Sequence, residues 1–309
     1  MAESIDIAAS HRARLGCSNI AQALGLSRWG TAYQLWERYT GRAPWPNLGG
    51  ELRVALGEPM EEVLRPFVAA KLGRELRRDR REYLHESLPL IGHVDYRASA
   101  LNGEKRPVVD MKTSLGWGAR QRFGAEGTDE VDDDVLLQMQ GYTLLTGAEL
   151  AFVAALVPGP EIKVYTIPAD PDLHTMIAEG VENFWWHVTS DTPPEITTLG
   201  DANRRWKESR SGLTVAADDV ALTALRELRE LKARIEELEA ARDGYELALK
   251  TALGEAEALI GAEGKPICTW KLQPSTRVDV AALKAAGLYE TYTKTTTSRV
   301  FRLSSEKKS

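Results

Sequence analysis

The run L-A-F-V-A-A-L-V, from Leu150 to Val157, carries no polar side chain on either of its alternating faces. Successive side chains of an extended segment point to opposite sides, so both sides of this run need cover. It therefore predicts a central strand with helices packed above and below. The following E-I-K-V-Y-T-I alternates polar and apolar residues and predicts a half-covered neighbour. Upstream, Leu90 to Thr113 reads as two short apolar strands around a polar turn rich in Asn, Gly and charge. Helical spacing marks Pro59 to Leu72, Asp134 to Thr146 and Pro171 to Val188, and Gly73 and Gly147 supply stops for the first two. The order of helices and strands predicts an α/β fold, a mixed α+β sheet flanked by helices.

The candidate chemistry collects around the two short strands. Asp95 ends the first, L-I-G-H-V-D, and a hairpin brings it beside Asp110 on the second, V-V-D-M-K-T. Alternation turns Asp110 and Lys112 one way and Val109 and Met111 toward the core. Two carboxylates and an ammonium at one sheet edge suit a hard cation and hydrolysis, the lysine orienting water or stabilising an oxyanion. The plainer alternative is a solvated hairpin edge. Glu61 falls on the stripe of Leu64, Val68 and Leu72, where an unpaired carboxylate is costly, so it reads as a placed residue. Gln138 shares a helix face with Tyr142 and Leu145, which aims it at the same sheet edge unless it is simply exposed.

Other segments suggest contacts with phosphate. Ser18 reads as a helix cap before Ile20, with Arg12 and Arg14 beside it; together they form either an anion site or a surface arginine pair. The run R-E-L-R-R-D-R-R supplies five arginines between Arg74 and Arg81. A polar loop from Ser114 to Asp134 holds Trp117, Arg120, Arg122 and Phe123, residue types that stack on or grip a nucleic-acid strand.

Composition bounds the reading without deciding it. A net charge of −6 and a pI near 5.6 advertise no global basic field, although local arginines still track phosphates. The two cysteines, Cys17 and Cys268, give neither a disulfide framework nor a zinc or iron–sulfur site, which fits a reducing cytoplasm. No apolar run has the length of a membrane span. After T-S-D-T-P-P-E the composition shifts. From Val220 to about Leu259 the chain reads as a charged helix with Leu228, Leu231, Ile235, Leu238, Tyr245, Leu249 and Ala252 at heptad positions. Arg242 and Gly244 interrupt the pattern, which favours a short helical hairpin or packing on its own domain; self-association is the alternative. I-C-T-W-K-L, V-D-V-A-A-L-K-A-A-G and S-R-V-F-R-L then read as strand, short helix, strand. The expected division is 1–190 for the main domain, 191–219 for a linker and 220–309 for the helix and a small α+β segment.

Taken together, R-x-R-L-G-C-S-N-I-A-Q-A-L-G-L-S, G-E-P-M-E-E, G-H-V-D, V-V-D-M-K-T and L-L-Q-M-Q-G-Y-T-L-L-T-G resemble the YqaJ-like, or lambda-exonuclease-like, viral recombinase family. That family belongs to the PD-(D/E)XK nuclease superfamily, and the resemblance spans about Arg12 to Val188. It implies a restriction-endonuclease-like core carrying a C-terminal helical and α+β appendage. It also implies a magnesium-dependent exonuclease, with manganese able to substitute, that degrades linear duplex DNA 5′ to 3′. The 3′ overhang would pass to a RecT- or Beta-type annealing protein in a bacterial cytoplasm. By this resemblance Asp95, Asp110 and the Met111 carbonyl hold metal, and Glu61 holds a second metal or its water. Lys112 activates water, Gln138 orients Lys112 or substrate, and Arg12 or Arg14 with Ser18 grips a 5′-phosphate. Asp110 stands where many members carry Glu. Another PD-(D/E)XK endonuclease or repair nuclease, and a non-catalytic DNA-end-binding module, are the alternatives.

Overall fold

The computed structural model describes residues 13–47, 51–114, 116, 118, 122–159 and 161–304. The chain divides into two compact units at Arg205 and Trp206.

The first unit opens with strand β1 (Leu15–Gly16), a 3-10 turn (Cys17–Asn19) and helices α1 (Ile20–Ala23), α2 (Ala32–Tyr39), α3 (Leu52–Ala55) and α4 (Gly57–Leu72). Gly73 closes α4 in the left-handed conformation, at φ 62°. Strands β2 (Leu76–Arg78), β3 (Glu82–Leu84), β4 (Leu90–His93), β5 (Tyr96–Ala98) and β6 (Val108–Thr113) follow. Then come α5 (Asp133–Thr146), β7 (Leu150–Val157), β8 (Glu161–Pro168), α6 (Pro171–Thr189) and α7 (Leu199–Arg205).

The main sheet runs β2-β5-β6-β7-β8. Only β6 and β7 pair in parallel within it, because α5 carries the chain back across one face between them. The mixed sheet expected from the sequence is therefore present, with the apolar β7 inside it. Alternation sorts its side chains into two cores. Val108, Ala151, Val153, Ala155, Tyr165 and Ile167 pack with α5 and α6 residues such as Met139, Ile177 and Phe184. Val109, Met111, Phe152, Ala154 and Val164 pack with Leu64 and Val68 of α4.

The sequence reading missed a second sheet, β1-β4-β3, in which β1 and β4 run parallel. The L-I-G-H-V-D strand is broken at Val94 and Asp95, so β4 joins this small sheet and β5 the large one. Close packing joins α5 to it: a Cβ at Gly141 would stand 2.5 Å from Ile20 Cδ1, and one at Gly92 would stand 2.8 Å from Leu145 Cδ1. The stretch 191–219, expected to be a linker, contains α7. Asp201 of α7 is fully buried and accepts hydrogen bonds from Thr31 and Gln34 on its Oδ1.

In the second unit a single helix, α8 (Asp219–Leu253), runs 35 residues without a break, capped by the Asp218 carboxylate on Ala221 N–H. Arg242 and Gly244 do not interrupt it, since one exposed glycine costs a long helix only about 1 kcal/mol. Strands β9 (Ala258–Ile260) and β10 (Pro266–Thr269) form an antiparallel pair, and α9 (Val280–Ala285) follows. The expected strand S-R-V-F-R-L does not form; over its described residues the chain has no ladder partner. Among the described residues no helix is long and apolar enough to cross a membrane.

Candidate active site

Strand register assembles the site. Tyr96 pairs with Val109 and Arg97 with Val108, so one further step along the antiparallel ladder sets Asp95 opposite Asp110. The Met111 N–H donates to Asp95 Oδ2 at 3.3 Å and fixes that carboxylate across the strand gap. Asp110 is 1% exposed, which excludes the solvated hairpin edge.

Lys112, two residues on, returns its Nζ to within 2.8 Å of Asp110 Oδ2. Its other anchor is Gln138 on α5, whose Oε1 accepts from Lys112 Nζ at 2.9 Å. The Gln138 amide in turn donates to Tyr142 Oη at 2.9 Å, one helical turn away. The face shared by Gln138 and Tyr142 is therefore aimed at the sheet edge, and Gln138 is not a free surface side chain.

Burial and charge act together here. Burial raises the Asp95 carboxyl pKa, and the negative charges of Asp110 and Glu61 raise it further; Lys112 and the Met111 N–H only partly relieve this. Burial opposes the charge on Lys112, but Asp110's charge and hydrogen bond, with Asp95 behind it, outweigh that and hold the ammonium pKa above its usual range. Tyr142 is held well above the usual phenol range by burial and by Asp110, so it stays a neutral hydroxyl.

Glu61 reaches the same region from α4 but is committed elsewhere. Its Oε2 accepts from Arg78 at 2.9 Å, and Arg78 also pairs with Glu62 at 2.9 Å and Glu58 at 3.3 Å. Burial raises the Glu61 pKa, Arg78 partly offsets that, and Asp110 adds to the rise. Sequence reasoning placed Glu61 correctly on the inner stripe and missed Arg78, which arrives on β2 from the arginine run. The rest of that run is largely paired locally: Arg74 with Glu104, Arg77 with Glu75 and Arg81 with Asp79.

The residues fit a hard divalent cation in part. Among the described residues no three His, Cys, Asp or Glu side chains converge closely enough to cage a metal ion. Asp95 and Asp110 do converge, and among the described residues the buried Asp110 Oδ2 has the Lys112 ammonium as its partner. A cation between these oxygens would relieve the repulsion that raises Asp95.

The N-terminal group is assembled differently from expectation. Arg12 lies outside the described residues. The Arg14 Nη1 donates to the carbonyls of His85 and Leu88, at 3.3 and 3.1 Å, and so ties β1 to the turn before β4. Ser18 is exposed inside the 3-10 turn and caps nothing; Asn19 occupies the cap position of α1 without a side-chain bond.

Beyond Thr113 the loop leads to a group that the sequence reading singled out only in part. Trp29 is 68% exposed and has Arg28 Cζ 4.8 Å and Arg122 Cζ 5.8 Å from its ring centroid. With Ser114, Gly116 and Gly118 they line a cavity of about 280 Å³, and Arg122's charge is felt at Lys112. Asp132 holds both arginines, at 2.9 and 2.5 Å, so the two share one counterion. Phe123, expected on the surface, is buried against Tyr165, whereas Trp117 and Arg120 lie outside the described residues. An exposed Trp beside a glycine loop was the signal that could have identified the group.

Comparison with known proteins agrees with the motifs. The Bacillus subtilis protein YqaJ is 24% identical over 281 residues, covering 88% of this chain and 85% of its own. The solved alkaline exonuclease LHK-Exo of Laribacter hongkongensis is 12% identical, covering 59% of this chain and 91% of that one, with a TM-score of 0.47. A phage-related exonuclease from Haemophilus somnus 129PT is 15% identical, covering 58% and 96%, with a TM-score of 0.44. Residues 8–149 match the YqaJ-like viral recombinase domain. This stretch, a little under half of the chain, is what it shares with the YqaJ-like viral recombinase family.

Proposed function

We propose that this chain is a magnesium-dependent exodeoxyribonuclease that hydrolyses linear double-stranded DNA from its 5′ ends and leaves 3′ single strands. The carrying observation is the convergence of Asp95, Asp110, Lys112 and Gln138 at one buried sheet edge. The match of residues 8–149 to the YqaJ-like viral recombinase domain supports the same reading.

Asp95, Asp110 and the Met111 carbonyl would hold the divalent ion, with Glu61 joining once released from Arg78; manganese would substitute for magnesium. When bound, the ion would supply charge for the phosphate oxygens and a more acidic water. The chain's own part is positioning. The raised pKa of Lys112 keeps it an ammonium, so it directs water and donates to developing negative charge; it does not take a proton. Gln138 fixes the direction of that ammonium, and Tyr142 fixes Gln138. Trp29, Arg28 and Arg122 offer a stacking face and cations for the DNA strand near the site. Arg12 or Arg14, with Ser18, is the proposed neighbour of the 5′-phosphate. The product would suit a RecT- or Beta-type annealing partner in a bacterial cytoplasm.

Digestion of 5′-phosphorylated linear duplex with magnesium, against the same DNA as a covalently closed circle, tests the reading. Loss of the linear form alone supports it. Cutting of the circle would replace it with an endonuclease, and cutting of neither, with DNA binding retained, with an end-binding module.

A further inference from the structure

The long helix of the second unit poses its own question, independent of the nuclease site. Heptad assignment puts Leu228, Ile235, Arg242 and Leu249 at a positions and Leu231, Leu238, Tyr245 and Ala252 at d. At the start of α8 the chain covers this seam itself. Phe301 to Ser304 lies along Ala221, Ala224, Leu225 and Leu228, and Arg229 donates to the Ser304 carbonyl at 3.3 Å. From Leu231 onward the seam is open: Leu231, Ile235, Leu238, Tyr245 and Leu249 are 57, 53, 61, 76 and 45% exposed. An apolar stripe repeating every 3.5 residues, interrupted at Arg242, is the seam of a coiled coil and is a poor surface for water.

We infer that α8 pairs through Leu231 to Ala252 with α8 of a second copy of this chain, as a parallel, in-register, two-stranded coiled coil. The flanking charges select this occupant. In that arrangement each g residue faces the e residue five positions on in the other copy. Glu227 then meets Lys232 and Arg234 meets Glu239, each twice by symmetry, while Ala241 meets Glu246 without conflict. An antiparallel pair that layers Ile235 on Leu231 sets Lys232 against Lys232 and Arg234 against Arg234. Shifted by one heptad, it keeps only the Lys232–Glu239 attraction and buries Arg242 against Leu231. Ile235 at a with Leu231 and Leu238 at d favours two strands, and one charged a residue, Arg242, disfavours the closed core of a higher oligomer.

Sedimentation equilibrium of the full chain tests this, with circular dichroism to confirm that each variant keeps its helix. The wild type is expected to associate from 34.1 kDa to twice that mass. Ile235→Glu or Leu238→Glu should weaken association at least tenfold. Lys232→Glu alone should weaken it, and Glu227→Lys with Lys232→Glu should restore it. In a Cys268→Ser background, Leu238→Cys should oxidise to a covalent dimer, since only a parallel in-register pair places position 238 beside itself. A monomeric wild type, a dimer indifferent to Ile235→Glu, or a dimer that Leu238→Cys does not cross-link would each overturn the inference.

Discussion

Lys112 Nζ and Asp110 Oδ2, two residues apart on one strand, stand 2.8 Å from each other with the carboxylate almost wholly buried. An ion pair in such a place is poorly explained by stability, because desolvating two charges offsets most of their attraction. Its cost is understandable if the pair exists for chemistry.

The orientation of Lys112 depends on Gln138, whose two amide atoms are both engaged. Gln138→Leu keeps the volume and removes both bonds. We expect kcat to fall about 10- to 100-fold, or roughly 1.4–2.7 kcal/mol, with KM little changed. Steady-state kinetics on linear duplex would show this split; an equal rise in KM would instead make Gln138 a substrate contact.

Asp95 links the site to pH. Its pKa is raised on folding, so the folded state favours the protonated form. The stability this contributes is fully present below the ordinary aspartate range and is lost as pH rises toward the raised value. Without metal, Asp95→Asn should therefore melt higher than wild type at pH 8 and near it at pH 4. One pKa unit corresponds to about 1.4 kcal/mol, or a few degrees of Tm. Thermal melts in EDTA at both pH values would show it, and an equal difference at both would refute the assigned coupling.

Trp29 is exposed between two arginines near the site mouth. Base stacking is worth about 1–3 kcal/mol, so Trp29→Ala should raise the Kd for DNA with a single-stranded end about 5- to 150-fold, and Trp29→Phe should recover most of it. Fluorescence anisotropy with labelled oligonucleotides measures this. Unchanged Kd in both variants would remove the stacking role.

Gly141 lets α5 approach the turn at Cys17 and Ile20. A methyl there would stand 2.5 Å from Ile20 Cδ1, so Gly141→Ala should destabilise by about 1–3 kcal/mol despite its better helix propensity. Urea unfolding would measure it; a stabilised variant would mean that Ile20 moves freely aside.

The legible parts of the site were those carried by local periodicity. Strand alternation put Asp110 and Lys112 on one face, hairpin logic set Asp95 beside them, and helical spacing grouped Gln138 with Tyr142. Partnerships made at long range were not legible. Which acid Arg78 would choose depends on how β2 meets α4, and β1 is two residues long, too short to leave a pattern. Ser18 has the composition of a cap, yet the chain turns through a 3-10 step at that point. Gly244 has the composition of a break, yet a single exposed glycine costs a 35-residue helix only about 1 kcal/mol. The apolar alternation of S-R-V-F-R-L suggested a strand, but its described residues find a helix face where a ladder would be needed.

The most direct test of the account is single-turnover cleavage of 5′-phosphorylated linear duplex by Asp110→Ala and Lys112→Ala, with DNA affinity measured on the same samples. The account predicts loss of cleavage by at least about 10³-fold in both, with DNA affinity within a few-fold of wild type. Wild-type cleavage by either variant would contradict the assignment of this ion pair as the centre of the active site.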